Sequence, residues 1–308
     1  MSQFNDIPVK IILKNIPVIG EAVTNCVSQL QNQDIVDELP ENLTLSEIPA
    51  YFNLNASEHK KFVDAIEDSA RQIKEIEKKE IAEFGVEVDE DDPCHAWSND
   101  DKIIQEACVS AIEEKYRGQT GAVIFYGPSN IQMWYSLEQD MLPYKAQNHG
   151  MGGCIDTEMM AYAPRMLYAF EPSVVFFQTG SNDLANGLSL EQILKNKKEM
   201  YSLFLENMPD TKLVIMSGLP LPNRQEFWVD TVKINNLLKQ MCEETERMYF
   251  MDATDAMLSE NGSQNMKTPT GDGRYFTPEY FRSDGIHLNK KGHDVWTMLM
   301  KKTLSEIL

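Results

Sequence analysis

Positive charge is the first thing this chain is short of: 28 Lys and Arg face 48 Asp and Glu, for a formal net charge of −20. Phosphate-rich partners need clustered Lys and Arg, so nucleic acid and anionic membrane surfaces are not expected as partners. Long apolar runs are missing too. No stretch reaches the roughly 20 residues that cross a bilayer, so no membrane insertion is expected. The opening MSQFNDIPVKIILKN carries Asp6 and no continuous apolar segment ahead of a small-residue cleavage site, so it does not read as an export signal. Cysteine is sparse. Cys26, Cys94, Cys108, Cys154 and Cys242 are odd in number, scattered and without a C-x-x-C pair. This excludes a disulfide framework and a cysteine zinc site, and it points to reduced thiols and a cytoplasmic location.

What is present is enough apolar material for a core. Hydrophobic residues make up 42% of 308 positions, sufficient for one large domain or two smaller ones. Charge is uneven: residues 1–120 carry 11 Lys and Arg against 25 Asp and Glu, whereas residues 121–308 carry 17 against 23. The first part is helical in pattern. In EHKKFVDAIEDSARQIKEIEKKEIAEFG, Phe62, Ile66, Ala70, Ile73 and Ile76 follow helical spacing, and Gly85 supplies a stop. GVEVDEDDPCHAW reads as an acidic connection. SNDDKIIQEACVSAIEEKYRG reads as a further helix, with Ser98 or Asn99 as cap and Gly118 as terminator. The expected division is an acidic helical accessory region over 1–97 and a second domain over 98–308. Covering that domain, or pairing two copies into a homodimer, is the expected role of the accessory helices.

From residue 121 the rhythm becomes strand, turn, helix. AVIFYG, SVVFFQTG, KLVIMSG and MYFMDA are short runs rich in β-branched and aromatic residues, separated by amphipathic helical stretches, and YKAQNHG is a candidate edge strand. Apolar strands alternating with helices predict an α/β fold: a doubly wound, five-stranded parallel sheet in an α/β/α sandwich. Such sheets carry their functional loops at the carboxyl ends of the strands.

The unusual residues fall on those ends. Gly127-Pro128-Ser129-Asn130 follows the first strand, Gly150-Met151-Gly152-Gly153 the edge strand, and Thr179-Gly180-Ser181-Asn182-Asp183 the third. Asp284 and His287, in FRSDGIHLNKKGHDVW, precede the last helix. A nucleophilic serine needs a base, a carboxylate to orient it, and donors for a developing oxyanion. Each of these parts is present.

The set G-x-S-N, G-x-G-G, G-x-N-D and D-x-x-H, in this order and these contexts, resembles the SGNH (GDSL-type) hydrolases over residues 121 to about 305. Pro128 stands where the namesake pattern has Asp, and Asn130 is followed by Ile131 rather than Leu. The resemblance implies the flavodoxin-like fold of that family, with Ser129 as nucleophile, His287 as general base and Asp284 as its orienting group. It also implies an oxyanion hole made of the Ser129 and Gly153 backbone N–H groups and the Asn182 side chain. No metal or cofactor is implied. Position 131 also breaks the G-x-S-x-G pattern of the common α/β-hydrolases.

Other residues have two readings. Arg224, Phe227 and Trp228 follow the fourth strand and are candidate substrate-binding residues, although Trp228 equally suits anchoring a helix to the core. Tyr275 and Phe276, with Tyr280 and Phe281, lie in a long connection of about 30 residues before His287. That connection, 259–283, is a candidate lid or a packed surface loop. Asp183 suits a helix cap, Cys154 a buried small residue, Arg165 a helix-surface charge, and His293 packing or surface. His59, His95 and His149 have no assigned role. The expected function is a serine esterase acting on small acyl esters, acetyl esters of carbohydrates first. Lysophospholipid or thioester hydrolysis and a catalytically silent binding module are the alternatives.

Overall fold

The computed structural model describes residues 8–15, 17–89, 92–95, 102–219, 221–259 and 273–308. Packing divides the chain into two compact units, Met1–Ala82 and Glu83–Leu308. The boundary drawn at 97/98 from composition lies further along the chain, and the expected caps Ser98 and Asn99 lie outside the described residues. Phe84 explains the earlier division: it is buried in the second unit's core, edge-on to Tyr135 at 5.3 Å.

The first unit is helical: α1 (Val9–Asn15), α2 (Pro17–Cys26), α3 (Gln33–Glu38), α4 (Ile48–Tyr51) and α5 (Ala56–Ala82). Asn55 starts α5: its side-chain oxygen accepts from the Ser57 and Glu58 N–H groups, and Glu58 accepts in return from the Asn55 N–H. This satisfies N–H groups that the first turn leaves without partners. Val9, Ile12, Ile19, Val23, Leu45, Ile48, Phe62 and Ile66 form a core of the unit's own.

In the second unit α6 (Lys102–Lys115) leads into β1 (Val123–Gly127), followed by the short helices α7 (Ser129–Gln132) and α8 (Leu137–Asp140). Then come β2 (Ala146–Gly150), α9 (Asp156–Met166), β3 (Val174–Phe177), α10 (Ser181–Ala185) and α11 (Leu190–Asn207). The chain continues through β4 (Lys212–Met216), α12 (Trp228–Glu244) and β5 (Met248–Met251). A small hairpin, β6 (Leu258–Ser259) with β7 (Tyr275–Phe276), precedes α13 (Lys290–Ile307).

The five long strands form one parallel sheet in the order β2-β1-β3-β4-β5. Side chains alternate across it. Ile124, Tyr126, Val175, Phe177, Leu213 and Ile215 face one core with α6, α9, α11 and α12. Val123, Phe125, Val174, Phe176, Val214 and Met216 face the other with α13. This is the expected doubly wound sandwich. The strand order reverses beside β1, so the loops after β1, β2 and β3 open toward a common crevice.

Candidate active site

Ser129 is the first residue of α7, directly after β1 and Pro128. Two contacts fix this helix. Gly150, at the end of β2, lies so close to it that a Cβ there would sit 2.1 Å from the Gln132 nitrogen. Asn148, also on β2, donates to the Ile131 carbonyl at 2.8 Å. The serine is therefore presented by a helix seated against the edge strand.

Asn130 ties α7 to the C-terminal loop. Its side-chain oxygen accepts from the Leu288 N–H at 2.8 Å, and its carbonyl faces His293 Nε2 at 2.9 Å. His293 is fully buried, and burial lowers its pKa to about 3, so it serves as a neutral packing group.

The loop held this way brings Asp284 and His287 to Ser129. His287 Nε2 lies 2.8 Å from Ser129 Oγ, and His287 Nδ1 lies 2.7 Å from Asp284 Oδ2. The other Asp284 oxygen accepts from the Ile286 and His287 N–H groups at 2.8 and 2.9 Å. Burial alone would raise the Asp284 pKa. The adjacent His287 and these hydrogen bonds outweigh it and hold the carboxyl well below the ordinary carboxylate range. An ionised carboxylate only accepts, so the imidazole proton belongs on Nδ1 and Nε2 is left to accept from the hydroxyl.

On the other side of the crevice stand Gly153 and Asn182. Gly153 adopts φ 70°, a conformation open to glycine, and turns the chain from β2 into α9. Among the described residues neither the Ser129 nor the Gly153 backbone N–H has a hydrogen-bond acceptor in the protein. Asn182 Nδ2 donates to the Cys154 carbonyl at 3.1 Å, and its Oδ1 accepts from Arg224 Nη1 at 3.1 Å.

Beneath these two loops lies a buried polar cluster that the sequence analysis did not single out. Lys197 Nζ contacts Asp156 Oδ1 at 3.1 Å and donates to Thr179 Oγ1 at 2.8 Å, and Asp183 accepts from the Asp156 N–H at 3.0 Å. Asp183, in the first turn of α10, thus braces the Gly153 and Asn182 loops. Burial, and then the Asp156 carboxylate, push its pKa up to about 6. A signal existed: Ile193, Lys197, Met200 and Phe204 share the buried stripe of α11, so Lys197 occupies a core position.

Arg224 also donates to Ser181 Oγ at 2.6 Å, and burial lowers its pKa below the usual guanidinium value. Its neighbour Asn223 donates from Nδ2 to the Asp284 carbonyl and from its backbone to the Gly285 carbonyl. Trp228 and Phe276 lie in the core, 5.5 Å apart, and Trp228 Nε1 donates to the Leu221 carbonyl. Phe227 is half-buried against the opposite core, and Tyr275 is half-buried in the β6–β7 hairpin. Most of the candidate lid, residues 260–272, lies outside the described residues.

Of the remaining residues, His149 is buried between the Met166 carbonyl and Gln147, with its pKa lowered to about 3 by burial. Arg165 pairs with Glu106 and Glu113, and Cys154 is fully buried. The Cys94 and Cys108 thiols are 3.1 Å apart, a proximity the scattered spacing conceals. Among the described residues no cluster of three or more His, Cys, Asp or Glu is placed to hold a metal ion. No helix among them is long and apolar enough to cross a membrane.

The arrangement offers a hydroxyl, a proton acceptor bonded to it, and unpaired N–H donors on neighbouring loops. The family described as GDSL-like Lipase/Acylhydrolase matches residues 121–295, more than half of the chain. An N-acylneuraminate cytidylyltransferase from Streptococcus agalactiae is 31% identical over 132 residues, covering 43% of this chain and 31% of that protein. The chain thus spans about a third of the length of the curated relatives it matches. Two solved structures share the fold. One, provisionally described as a platelet activating factor from Streptococcus pneumonia, has a TM-score of 0.54 at 18% identity over 65% of this chain and 92% of its own. The other, provisionally described as an acylhydrolase from Bacteroides fragilis, has a TM-score of 0.50 at 18% identity over 63% and 94%.

Proposed function

We propose that this chain, which belongs to the GDSL-like lipase/acylhydrolase family, is an ester hydrolase of the SGNH type that moves an acyl group from a small ester to Ser129 and then to water. His287 Nε2 takes the Ser129 proton as Oγ attacks the ester carbonyl carbon. The carbonyl oxygen becomes an oxyanion, met by the Ser129 and Gly153 N–H groups and the free N–H of Asn182 Nδ2. The imidazolium, steadied by Asp284, returns the proton to the departing alkoxide, which leaves as the alcohol. Water then attacks the acyl-enzyme, again with His287 as base, and the acid is released with Ser129 restored.

The observation that carries this reading is the unbroken relay from Asp284 Oδ2 through the imidazole to Ser129 Oγ, at 2.7 and 2.8 Å. We assign the acyl group as short, acetyl foremost, and the alcohol as a carbohydrate. The curated relatives are named for an N-acylated sugar acid, which supports the carbohydrate side of this assignment.

Hydrolysis of p-nitrophenyl acetate by the wild-type protein and by Ser129→Ala tests the mechanism. The expected outcome is a loss of about 1,000-fold or more in kcat in the variant. Equal rates, or no hydrolysis by either protein across a broad pH range, would instead favour a silent binding module. Acetylated sugars, a lysophospholipid and an acyl thioester compared by kcat/KM test the substrate class, with the sugar ester expected to lead.

A further inference from the structure

Arg224 occupies a position whose chemistry reaches beyond lining a pocket. A guanidinium can only donate, so the Asn182 atom facing Nη1 at 3.1 Å has to be the amide oxygen. That contact decides which way the amide points. With Oδ1 engaged by Arg224, Nδ2 is turned to the opposite side, where one N–H meets the Cys154 carbonyl at 3.1 Å and the second is left over. The same Nη1 donates to Ser181 Oγ at 2.6 Å, so the arginine grips the start of α10 at two consecutive residues.

The residue before it grips the other half of the site. Asn223 donates from its side chain to the Asp284 carbonyl and from its backbone to the Gly285 carbonyl at 3.1 Å. One dipeptide therefore links the loop that orients the imidazole to the loop that carries the amide. Arg224 leaves helical geometry to do so, with φ −133° and ψ 38° in the 3-10 turn Pro222–Phe227. The Glu226 and Asp284 carboxylates act on its charge in the direction opposite to burial, and burial outweighs them.

We infer that Arg224 is a positioning residue: it holds the Asn182 amide with Nδ2 toward the reaction centre and acts on the reaction through Asn182, without itself binding substrate. This rests on the oxyanion role proposed above for Asn182.

A double-mutant cycle in the full-length protein tests it, with kcat and KM for p-nitrophenyl acetate measured for wild type, Asn182→Ala, Arg224→Gln and the double variant. Asn182→Ala should lose about 100- to 1,000-fold in kcat, the usual cost of one oxyanion donor. Arg224→Gln should lose about 10- to 100-fold in kcat with KM changed less than about twofold, as for loss of an outer positioning contact. The double variant should be no slower than Asn182→Ala, because an effect exerted through Asn182 vanishes with it. Added guanidinium ion should restore part of the Arg224→Gln rate and none of the double variant's.

Additive losses in the double variant, or a raised KM with kcat preserved in Arg224→Gln, would overturn the positioning role. Should Arg224→Gln unfold by circular dichroism, Arg224→Lys serves in the same cycle, with the same non-additivity required. Wild-type rates in Asn182→Ala would remove the oxyanion reading itself and this proposal with it. A normal Asn182→Ala loss beside additive arginine losses would defeat this proposal alone.

Discussion

At the scale of single residues, the proton's address on His287 is set by what faces Nδ1. Asp284 Oδ2 can only accept, which leaves Nε2 free to accept from Ser129. Asp284→Asn keeps the shape but offers an N–H to Nδ1, which stabilises the wrong tautomer. The expected result is a fall in kcat of about 10,000-fold with an unchanged circular dichroism spectrum. Protonation of the imidazole removes the acceptor in the wild-type protein as well, so its rate should decline on acidification. A rate that stays flat into strongly acidic solution would exclude His287 as the base. The residues matched by motif, Ser129, Gly153, Asn182, Asp284 and His287, were all legible in the sequence because their chemistry is rare in that combination. Asn223 and the second partner of Asn130 were not, since both act on backbone groups distant in the chain.

Elements explain how that geometry is held. The serine's helix α7 is only four residues long and cannot be stable by its own hydrogen bonds. It is held by β2, through the close approach at Gly150 and the Asn148 side chain. Gly150→Ala would force α7 away from β2. A loss of about 3 kcal/mol in urea unfolding is expected, with a fall in kcat larger than that in the fraction folded. Wild-type stability and rate in this variant would show that the strand does not position the helix. The strand-and-helix rhythm was readable from periodicity. That a lysine among Lys195, Lys197 and Lys198 would be buried beneath two functional loops was readable only by projecting α11 onto its apolar stripe.

For the whole molecule, buried titratable groups tie stability to pH. Burial lowers His149 and His293 to about 3, so the unfolded chain binds their protons first, and their contribution to stability is lost as pH falls below about 6.5. Asp183, raised to about 6 by burial, works the other way: the native state holds its proton after the unfolded chain has released it, so stability rises on acidification between about 6 and 4. Around pH 5 the two histidines outweigh the one carboxyl, so these groups together destabilise the fold on acidification. Urea unfolding at pH 7, 5.5 and 4.5 should show His149→Gln flattening this slope and Asp183→Asn steepening it. The reverse pattern would mean that the histidines are charged in the native state.

The same scale contains the division of the chain. A fragment beginning at Glu83 keeps Phe84 in its core, whereas one beginning at residue 98 loses it. The shorter fragment should be less stable by about 3 kcal/mol in urea unfolding. Equal stability would place Phe84 outside the functional core.

What the sequence determined by itself is whatever local chemistry dictates: strands from β-branched runs, helices from apolar spacing, and turns from glycine. Four motifs with distinct chemical requirements added the family. Tertiary structure decided what depends on atoms brought from far away, including the placing of Phe84 in the second unit's core, the seating of α7 on Gly150, the buried Lys197 cluster and the grip of Arg224 on Asn182. Those contacts join residues tens of positions apart, and no periodicity or motif records a hydrogen bond between two loops that only the folded sheet brings together.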